Sequence, residues 1–292
     1  MKQKLLIFFT AILIVLFPLS FIIEKKQNSF SSVKTAFLNP KNEREIDSII
    51  LQDQYSSLVL KNKSDNENVF FVGGNNEMTY VFPVEQNTVK NFISSLKKIR
   101  NLYKVDSTGN ILNKENFSFK ITYILKNGME TELLFGKNDI TGTKRFLKLK
   151  AKNEVFKTDS DFDAFLTTNS NFWVLPEIIY LSNKEKINAE EIQKITLKTK
   201  ERTKNILPSS KDFLEKADSL LSLRHGKLVP LYDFTENKAE KAECIEIEFD
   251  EDAFFCVEIF KNNDDYVLLY KNKNLNYACE ISAWTYEKLF CF

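Results

Sequence analysis

The chain contains a single histidine, His225, among 292 residues, and this scarcity excludes several kinds of site. One histidine cannot build a histidine-rich zinc site, and it supports no serine–histidine arrangement for nucleophilic catalysis. His225 follows an amphipathic segment and precedes Gly226, which fits a helix C-cap. A cationic side chain there would complement the helix dipole. The sequence therefore predicts a structural role for His225.

Loops that bind phosphate or calcium are also missing. Gly136-Lys137-Asn138 resembles the end of a P-loop, but Asn138 stands where serine or threonine is required. Asp159–Asp163 resembles the start of a calcium loop, but Ala164 and Ser170 replace the required glycine and glutamate. These aspartates are therefore interpreted as caps of the following helix.

The acidic turn Asp250-Glu251-Asp252 is interpreted as a solvated hairpin tip and not as a catalytic pair. With so few catalytic residue types in a suitable pattern, the chain is predicted not to be an enzyme. No catalytic residue, cofactor-binding residue or metal ligand is predicted.

A strong excess of one charge is absent as well, since 41 basic residues face 40 acidic ones and the net charge is +1. This balance excludes strong steering toward nucleic acid. The Lys/Tyr/Asn-rich segment Tyr266–Tyr277 alternates as strand residues do. No nucleic-acid partner is predicted.

The four cysteines include no C-x-x-C pair, which excludes a zinc ribbon or a thioredoxin-type site. The residues are Cys244, Cys256, Cys279 and Cys291. Strand alternation places Cys244 and Cys256 on the same side of one predicted hairpin. They are either small buried hydrophobic residues or partners in a disulfide, and the sequence leaves both open.

One long apolar run is present, and it stands at the N-terminus. Leu5–Ile23 carries no charge, and as a helix it would span roughly 28 Å, close to the thickness of a bilayer core. No A-x-A cleavage site and no lipoprotein cysteine follows it. We predict a single-pass signal anchor in the cytoplasmic membrane, a tether over 24–45 and an extracytoplasmic, periplasmic body. A cleaved signal is the alternative.

The sequence of the body predicts an α+β fold in which one module occurs twice. The two copies span 46–170 and 191–292, and a linker at 171–190 joins them. The pattern I-x-x-I-x-L occurs at Ile46–Leu51 and again 146 positions later. Further along, Val155 matches Tyr277 at an offset of 122. Each module is expected to be a curved, mainly antiparallel sheet with a packed helix. Chance similarity of two α+β halves is the alternative.

The change in offset predicts that the second module lacks about 25 residues, interpreted as the early hairpin Gln52 to about Met78. Gly73-Gly74-Asn75-Asn76 within it is a strong turn signal, and Asn127-Gly128 predicts a second hairpin turn. Because only the first module keeps the early hairpin, we predict that a partner binds there.

Three segments together resemble the DUF4340 family of membrane-anchored bacterial proteins. Tyr80–Tyr103 is an aromatic-proline segment leading into a helix, Phe119–Phe135 is followed by Gly136-Lys137, and a later strand pair ends in Val155-Phe156. Two features depart from the family pattern. Val69-Phe70-Phe71 stands where a tryptophan is usual, and residues 104–116 lack the common Tyr-Gly-Leu element.

Members of this family are often encoded beside components of ABC-type transporters, including gliding-type ones. The resemblance therefore implies a non-enzymatic accessory or scaffold subunit of an ABC-type membrane transport complex, with a membrane protein as partner. It implies no site residues. The alternative is a periplasmic or surface binding module for a polymer or small ligand.

Overall fold

The computed structural model describes residues 43–63, 69–97, 99, 102–106, 112, 116–149, 154–159, 162–181, 187–231, 240–250, 253–262, 265–272 and 274–290. The predicted anchor at 5–23, most of the tether and Cys291 lie outside these residues. Within the described ranges, no helix has both the length and the apolar character needed to cross a membrane.

The α+β prediction is confirmed, since antiparallel strands dominate and four α-helices accompany them in the described part. The strands are β1 Ile46–Gln52, β2 Ser57–Asn62, β3 Phe71–Gly74, β4 Val81–Pro83, β5 Tyr103–Asp106, β6 Phe119–Leu125, β7 Glu130–Asn138, β8 Lys144–Leu149, β9 Val155–Asp159, β10 Ile192–Lys198, β11 Thr203–Ile206, β12 Leu228–Val229, β13 Glu240–Phe249, β14 Phe254–Asn262, β15 Asp265–Lys271 and β16 Asn276–Ile281. The helices are α1 Gln86–Lys97, α2 Ser170–Trp173, α3 Phe213–Leu221 and α4 Ala283–Phe290.

The elements form where the apolar spacing predicts them. In α1, the residues that recur at helical spacing are all buried: Val89, Phe92, Ile93 and Leu96. In β13, alternate residues are buried on one face: Ile245, Ile247 and Phe249. The turn at Asn127-Gly128 is confirmed, since Gly128 has a φ of 82° that glycine adopts without strain.

The chain divides into two compact units whose boundary passes through β6 and β7. The first unit contains, among the described residues, 93–121 and 131–165. Its strands follow the order β6-β7-β8-β9-β5. A small core of Leu112, Leu134 and Val155 is buried there.

The second unit contains residues 43–92, 122–130 and the described residues from 166 onward. Its strands follow the order β11-β10-β13-β14-β15-β16-β4-β3-β2-β1, with the end of β6 beside β1 and with β12 paired to β16. This order positions β10, β13 and β14 next to one another, and α3 belongs to the same unit.

The segment predicted as a linker, 171–190, contributes buried side chains to the second unit. Trp173 is fully buried, donates its indole N–H to the carbonyl oxygen of Thr167 at 3.0 Å and packs edge-on against Phe92. Ile178 is fully buried as well. The backbone of Leu175 donates to the carbonyl oxygen of Pro83 at 2.9 Å. The segment around 173–181 is therefore packed into the second unit.

Gly73 and Gly74 lie inside β3 and not in the turn that the sequence predicts. A Cβ atom on Gly74 would stand 2.4 Å from the carbonyl oxygen of Tyr80, and one on Gly73 would stand 2.4 Å from the Phe82 ring. The turn comes later, where the Asn75 side chain accepts hydrogen bonds from the backbone of Thr79 and Tyr80. The glycines are therefore required for the close approach of β4 to β3.

Candidate functional site

Two cysteines and a glutamate meet on one face of the β13–β14 hairpin. Cys244 lies opposite Glu258, and Glu246 lies opposite Cys256. The Sγ atoms of Cys244 and Cys256 are 3.5 Å apart, and Oε1 of Glu246 is 4.0 Å from Sγ of Cys244. The three side chains offer ligand atoms within 4.8 Å of one another. The prediction that Cys244 and Cys256 share one side of a hairpin is thereby confirmed.

This group, the dithiol–carboxylate cluster (Cys244, Cys256 and Glu246), is held on a rigid base. Ile245 and Ile247 of β13 and Val257 of β14 point to the opposite face and are buried. On the cluster side, Lys198 of β10 lies opposite Cys244. Its ammonium donates to Oε1 of Glu246 and forms an ion pair with it. The cluster thus has a fixed backbone beneath it and a cation at its edge.

The two thiols of the cluster differ in acidity because they share a hydrogen bond. That bond lowers the pKa of Cys256 below the ordinary value of 9.0, although burial and the charge of Glu246 act against it. The same bond, together with burial, raises the pKa of Cys244. The hydrogen bond from Lys198 to Glu246 raises the pKa of the lysine and keeps it charged.

Cys279 does not belong to the cluster, and its thiol is expected to be unreactive. It is fully buried on β16, and burial raises its pKa well above the ordinary value. Tyr270 and Tyr277 form a stacked pair in the same part of the core, with ring centroids 4.3 Å apart. Tyr270 donates its hydroxyl to the carbonyl oxygen of Ile178 at 2.7 Å. Because a protonated, inaccessible thiol is a poor nucleophile and ligand, we assign Cys279 a packing role.

A pocket of about 400 Å³ lies between the segment around Glu177 and helix α3. Apolar and polar residues line it: Leu175, Ile179, Leu181, Ile187 and Leu221 with Glu177, Tyr180, Asn188, Asp218 and Ser222. Oε1 of Glu177 is 3.4 Å from the Arg224 guanidinium, while Oε2 is buried and has no hydrogen-bond partner among the described residues. Burial raises the pKa of Tyr180 to about 12, so its phenol stays neutral. The pocket suits a small ligand that donates hydrogen bonds.

His225 is buried and does not act as the predicted helix cap. Helix α3 ends at Leu221 with Ser222 as its cap, three residues before the histidine. The imidazole lies between two carbonyl oxygens, with Nδ1 2.7 Å from Gly226 and Nε2 2.8 Å from Leu175. His225 therefore joins two backbone segments, because each ring nitrogen lies within hydrogen-bond distance of a carbonyl oxygen.

The acidic residues of the rejected calcium motif take part in an ion pair. Asp163 receives two hydrogen bonds from the Arg145 guanidinium, at 2.7 and 3.0 Å. The same guanidinium donates to the carbonyl oxygen of Gly136 at 2.8 Å. Gly136 itself lies within β7 and not in a phosphate-binding loop. This arrangement ties β8 to the segment around Asp163 within the first unit.

A rigid turn at the start of β2 presents an exposed aromatic residue. Oδ1 of Asp53 accepts hydrogen bonds at 2.7 Å from the backbone of Tyr55 and of Ser56, and Thr168 donates its hydroxyl to Oδ2 at 2.7 Å. Burial acts to raise the pKa of Asp53, but these hydrogen bonds lower it overall. The Tyr55 side chain is 94% exposed. A fixed backbone under an exposed tyrosine is typical of protein–protein contacts.

Residues 76–218 match the model of DUF4340, a domain of unknown function. This segment belongs to the DUF4340 family. The match begins in the turn before β4 and ends within helix α3, so it includes the pocket residues Glu177 and Asp218. The dithiol–carboxylate cluster lies beyond it. No curated protein and no solved structure matches the chain.

Sequence reasoning alone missed Glu246 and Lys198 as neighbours of the cysteines. The spacing of Cys244 and Glu246 by two residues is a usable signal, because such residues share one face of a strand. Nothing local connects Lys198 to them, since it lies on β10 and meets β13 only through strand pairing. The pocket was missed for the same reason, because its walls come from two segments that lie far apart in the sequence.

Proposed function

We propose that this chain is a membrane-anchored, non-enzymatic accessory or scaffold subunit of an ABC-type membrane transport complex, with an extracytoplasmic body. The family resemblance is the main support, because it implies this role. The anchor at 5–23 would hold the body next to a membrane partner. The observation that carries a scaffold role is the recurrence of one strand arrangement in the two halves of the chain.

The recurrence supports two related modules in tandem. In the first half, the neighbours run β2-β1-β6-β7-β8-β9-β5, and in the second half they run β11-β10-β13-β14-β15-β16-β12. The pairing of residues recurs too. Lys148 lies opposite Val155 in the β8–β9 hairpin, and Tyr270 lies opposite Tyr277 in the β15–β16 hairpin, each 122 positions later. Two related modules would pair the same residues in this way, whereas two unrelated halves would have no reason to do so.

The opening hairpins agree in the same way at the larger offset. Ile49 lies opposite Leu60 in β1–β2, and Ile195 lies opposite Ile206 in β10–β11, each 146 positions later. The second module therefore keeps a counterpart of β2. On this alignment the segment that it lacks contains β3 and β4, and does not begin at Gln52 as the sequence suggested.

The extra strands of the first module, β3 and β4, are paired with other strands of the same chain. β3 pairs with β2 and β4, and β4 pairs with β16 through Val81 and Asn276. The Asn276 side chain also donates to the carbonyl oxygen of Thr79 at 2.6 Å. Because both edges of this hairpin are used, its strands offer little to a partner. We therefore place the partner surface of the first module at the Tyr55 turn, residues 53–56, because the matching turn of the second module has Glu201 in place of Tyr55.

Copurification from membranes tests the proposal. The tagged full-length chain is solubilised in mild detergent after light crosslinking, and we expect transporter components to copurify with it. Tyr55→Ala is expected to reduce their recovery, because it removes an exposed aromatic contact while Asp53 still holds the turn. Ile140→Ala is the matched control, since Ile140 is fully exposed on another turn. A wild-type chain that elutes alone would contradict the scaffold role.

The pocket favours a second function, a binding module for a small ligand. Two carboxylates, Glu177 and Asp218, face apolar walls, so a ligand with an ammonium group on an apolar body would fit. Arylalkylamines such as tyramine are suitable probes. We expect a rise in Tm for the wild-type chain and for Asp212→Asn, which lies outside the pocket, and a smaller rise for Asp218→Asn. Equal shifts in all three chains would exclude this pocket as the binding site.

A further inference from the structure

We propose that the dithiol–carboxylate cluster binds one thiophilic divalent metal ion, with zinc as the best fit, through Cys244, Cys256 and Glu246. The fourth position of a tetrahedral site would be open to water. This site is independent of the scaffold role, and its test does not need a transporter.

The distances within the cluster match those of a tetrahedral zinc site. With zinc–sulfur bonds of about 2.3 Å, two thiolates on one tetrahedral ion stand about 3.8 Å apart. The Sγ atoms of Cys244 and Cys256 are 3.5 Å apart. A thiolate and a carboxylate oxygen on the same ion stand about 3.6 Å apart, and the Cys244–Glu246 distance is 4.0 Å. Small side-chain rotations would close the coordination sphere without moving the backbone.

The strand register favours a shared metal over a disulfide between the two cysteines. Cys244 and Cys256 are diagonal neighbours, because each lies opposite a glutamate of the other strand. Diagonal neighbours have Cα atoms about 7–8 Å apart, whereas a disulfide usually joins residues whose Cα atoms are about 4.4–6.8 Å apart. A metal ion bound to both sulfurs allows a longer sulfur–sulfur distance than a disulfide bond does. The same register brings Glu246 to the site as the third ligand.

The charges of the site also fit a divalent ion. Two thiolates and a carboxylate carry three negative charges, and a divalent ion leaves one in excess. The ammonium of Lys198, already paired with Glu246, would balance that charge. Two sulfur ligands favour zinc or cadmium over magnesium or calcium, which prefer oxygen.

The test uses the full-length chain in detergent, reduced and stripped of metal with a chelator. Cobalt(II) is the spectroscopic probe, because a cobalt–thiolate bond gives a charge-transfer band. We expect one cobalt per chain, and we expect zinc to displace it and to raise Tm. Cys244→Ser and Cys256→Ser should each weaken binding at least about tenfold, since loss of even an outer partner of a metal site costs about that much. Each should also lose about half of the band, because one of the two cobalt–thiolate bonds is gone. Glu246→Gln should weaken binding while keeping the band.

Two control variants separate the site from general effects on folding. Glu248→Gln changes the next glutamate on the same face of β13, which pairs with Lys194 at 2.7 Å and lies opposite Phe254. Cys279→Ser changes the buried cysteine outside the cluster. Both should bind cobalt as the wild type does if they fold. Circular dichroism of the metal-free variants identifies any that do not.

Three results would overturn the metal site. One is a reduced wild-type chain that binds no cobalt while both thiols remain titratable. Another is a Cys256→Ser chain that is folded and binds cobalt with unchanged affinity. The third is a purified chain with a Cys244–Cys256 disulfide whose reduced form binds neither cobalt nor zinc, which would assign the pair to redox chemistry instead.

Discussion

At the scale of single residues, the described ranges show differences in the exposure of ion pairs and in the acidity of thiols. Arg145 and Asp163 form a bidentate pair whose side chains are only 16% and 25% exposed. The pair of Lys227 with Glu280 is far more exposed, at 65% and 36%. Among the cysteines, hydrogen bonding and burial give opposite pKa directions to Cys256 and Cys279.

Replacing Arg145 with methionine should lower the free energy of unfolding by about 2 kcal/mol, because charge-assisted hydrogen bonds are worth about 1.5–3 kcal/mol and Asp163 would lose two of them. Lys227→Met is the matched control. Its pair is largely exposed, so we expect a change within about 0.5 kcal/mol. Urea denaturation of the chains measures both. Equal losses of unfolding free energy in the two variants would show that the geometry of the Arg145–Asp163 pair adds no stability over an exposed pair.

Alkylation should distinguish the cysteines of the folded, metal-free chain. Because the thiolate is the reacting form, iodoacetamide at neutral pH should modify Cys256 before Cys244 and Cys279. Cys279 should react only after unfolding, since it is buried and its pKa is raised. Peptide mass spectrometry over time gives the order, and a Cys256→Ser chain identifies the fast site. A fast reaction at Cys279 in the folded chain would contradict the assignment.

At the scale of elements, β3 and β4 show a use of glycine that differs from turn formation. Neither Gly73 nor Gly74 has a positive φ, yet a side chain at either position would meet atoms of the β4 segment. Turn-forming glycines behave differently, since Gly142 has a φ of 72° and open space around it. The two kinds of glycine therefore predict opposite responses to substitution.

Gly74→Ala should destabilise the chain by about 1–3 kcal/mol, because the new methyl group would collide with the backbone carbonyl of Tyr80. Gly142→Asn is the control. Asparagine tolerates a positive φ and has room there, so the change should stay within about 0.5 kcal/mol. Chemical denaturation at equilibrium provides the comparison. A neutral Gly74→Ala would mean that β4 can move away from β3 at little cost.

At the scale of the whole molecule, the prediction concerns the side of the membrane on which the body lies. The export-type N-terminus predicts an extracytoplasmic body, and the lack of an A-x-A site predicts that the segment at 5–23 stays uncleaved as an anchor. Protease added to intact spheroplasts should then digest the body, and an antibody against a C-terminal tag would follow its loss. A cytoplasmic marker protein should survive the same treatment. A body that resists protease until lysis would place it inside the cell, and a mature N-terminus near residue 32 would show a cleaved signal.

The scaffold role and the metal site make separate claims about the molecule. Loss of transporter components from the copurification would leave the cobalt titration unaffected, because the cluster is built within β13 and β14. Loss of cobalt binding would likewise leave the tandem strand arrangement in place. The two proposals therefore succeed or fail on different measurements.

The sequence by itself determined the features that depend on local periodicity. Apolar spacing predicted α1 and the strands β1 and β10, since side chains in a helix or strand repeat at fixed intervals. Alternation also placed Cys244 and Cys256 on one side of a hairpin. The short family motifs near Gly136-Lys137 and Val155-Phe156 led to the DUF4340 assignment, which the match over 76–218 confirms.

Only the tertiary structure decided what depends on pairing between distant segments. Lys198 reaches Glu246 because β10 pairs with β13, and no local pattern encodes that register. Gly73 and Gly74 resemble a turn in sequence, but the approach of β4 gives them another role. The pocket at Glu177 and Asp218 likewise needs two segments some forty residues apart. Local spacing fixes which face a side chain occupies, whereas long-range packing fixes which side chains meet there.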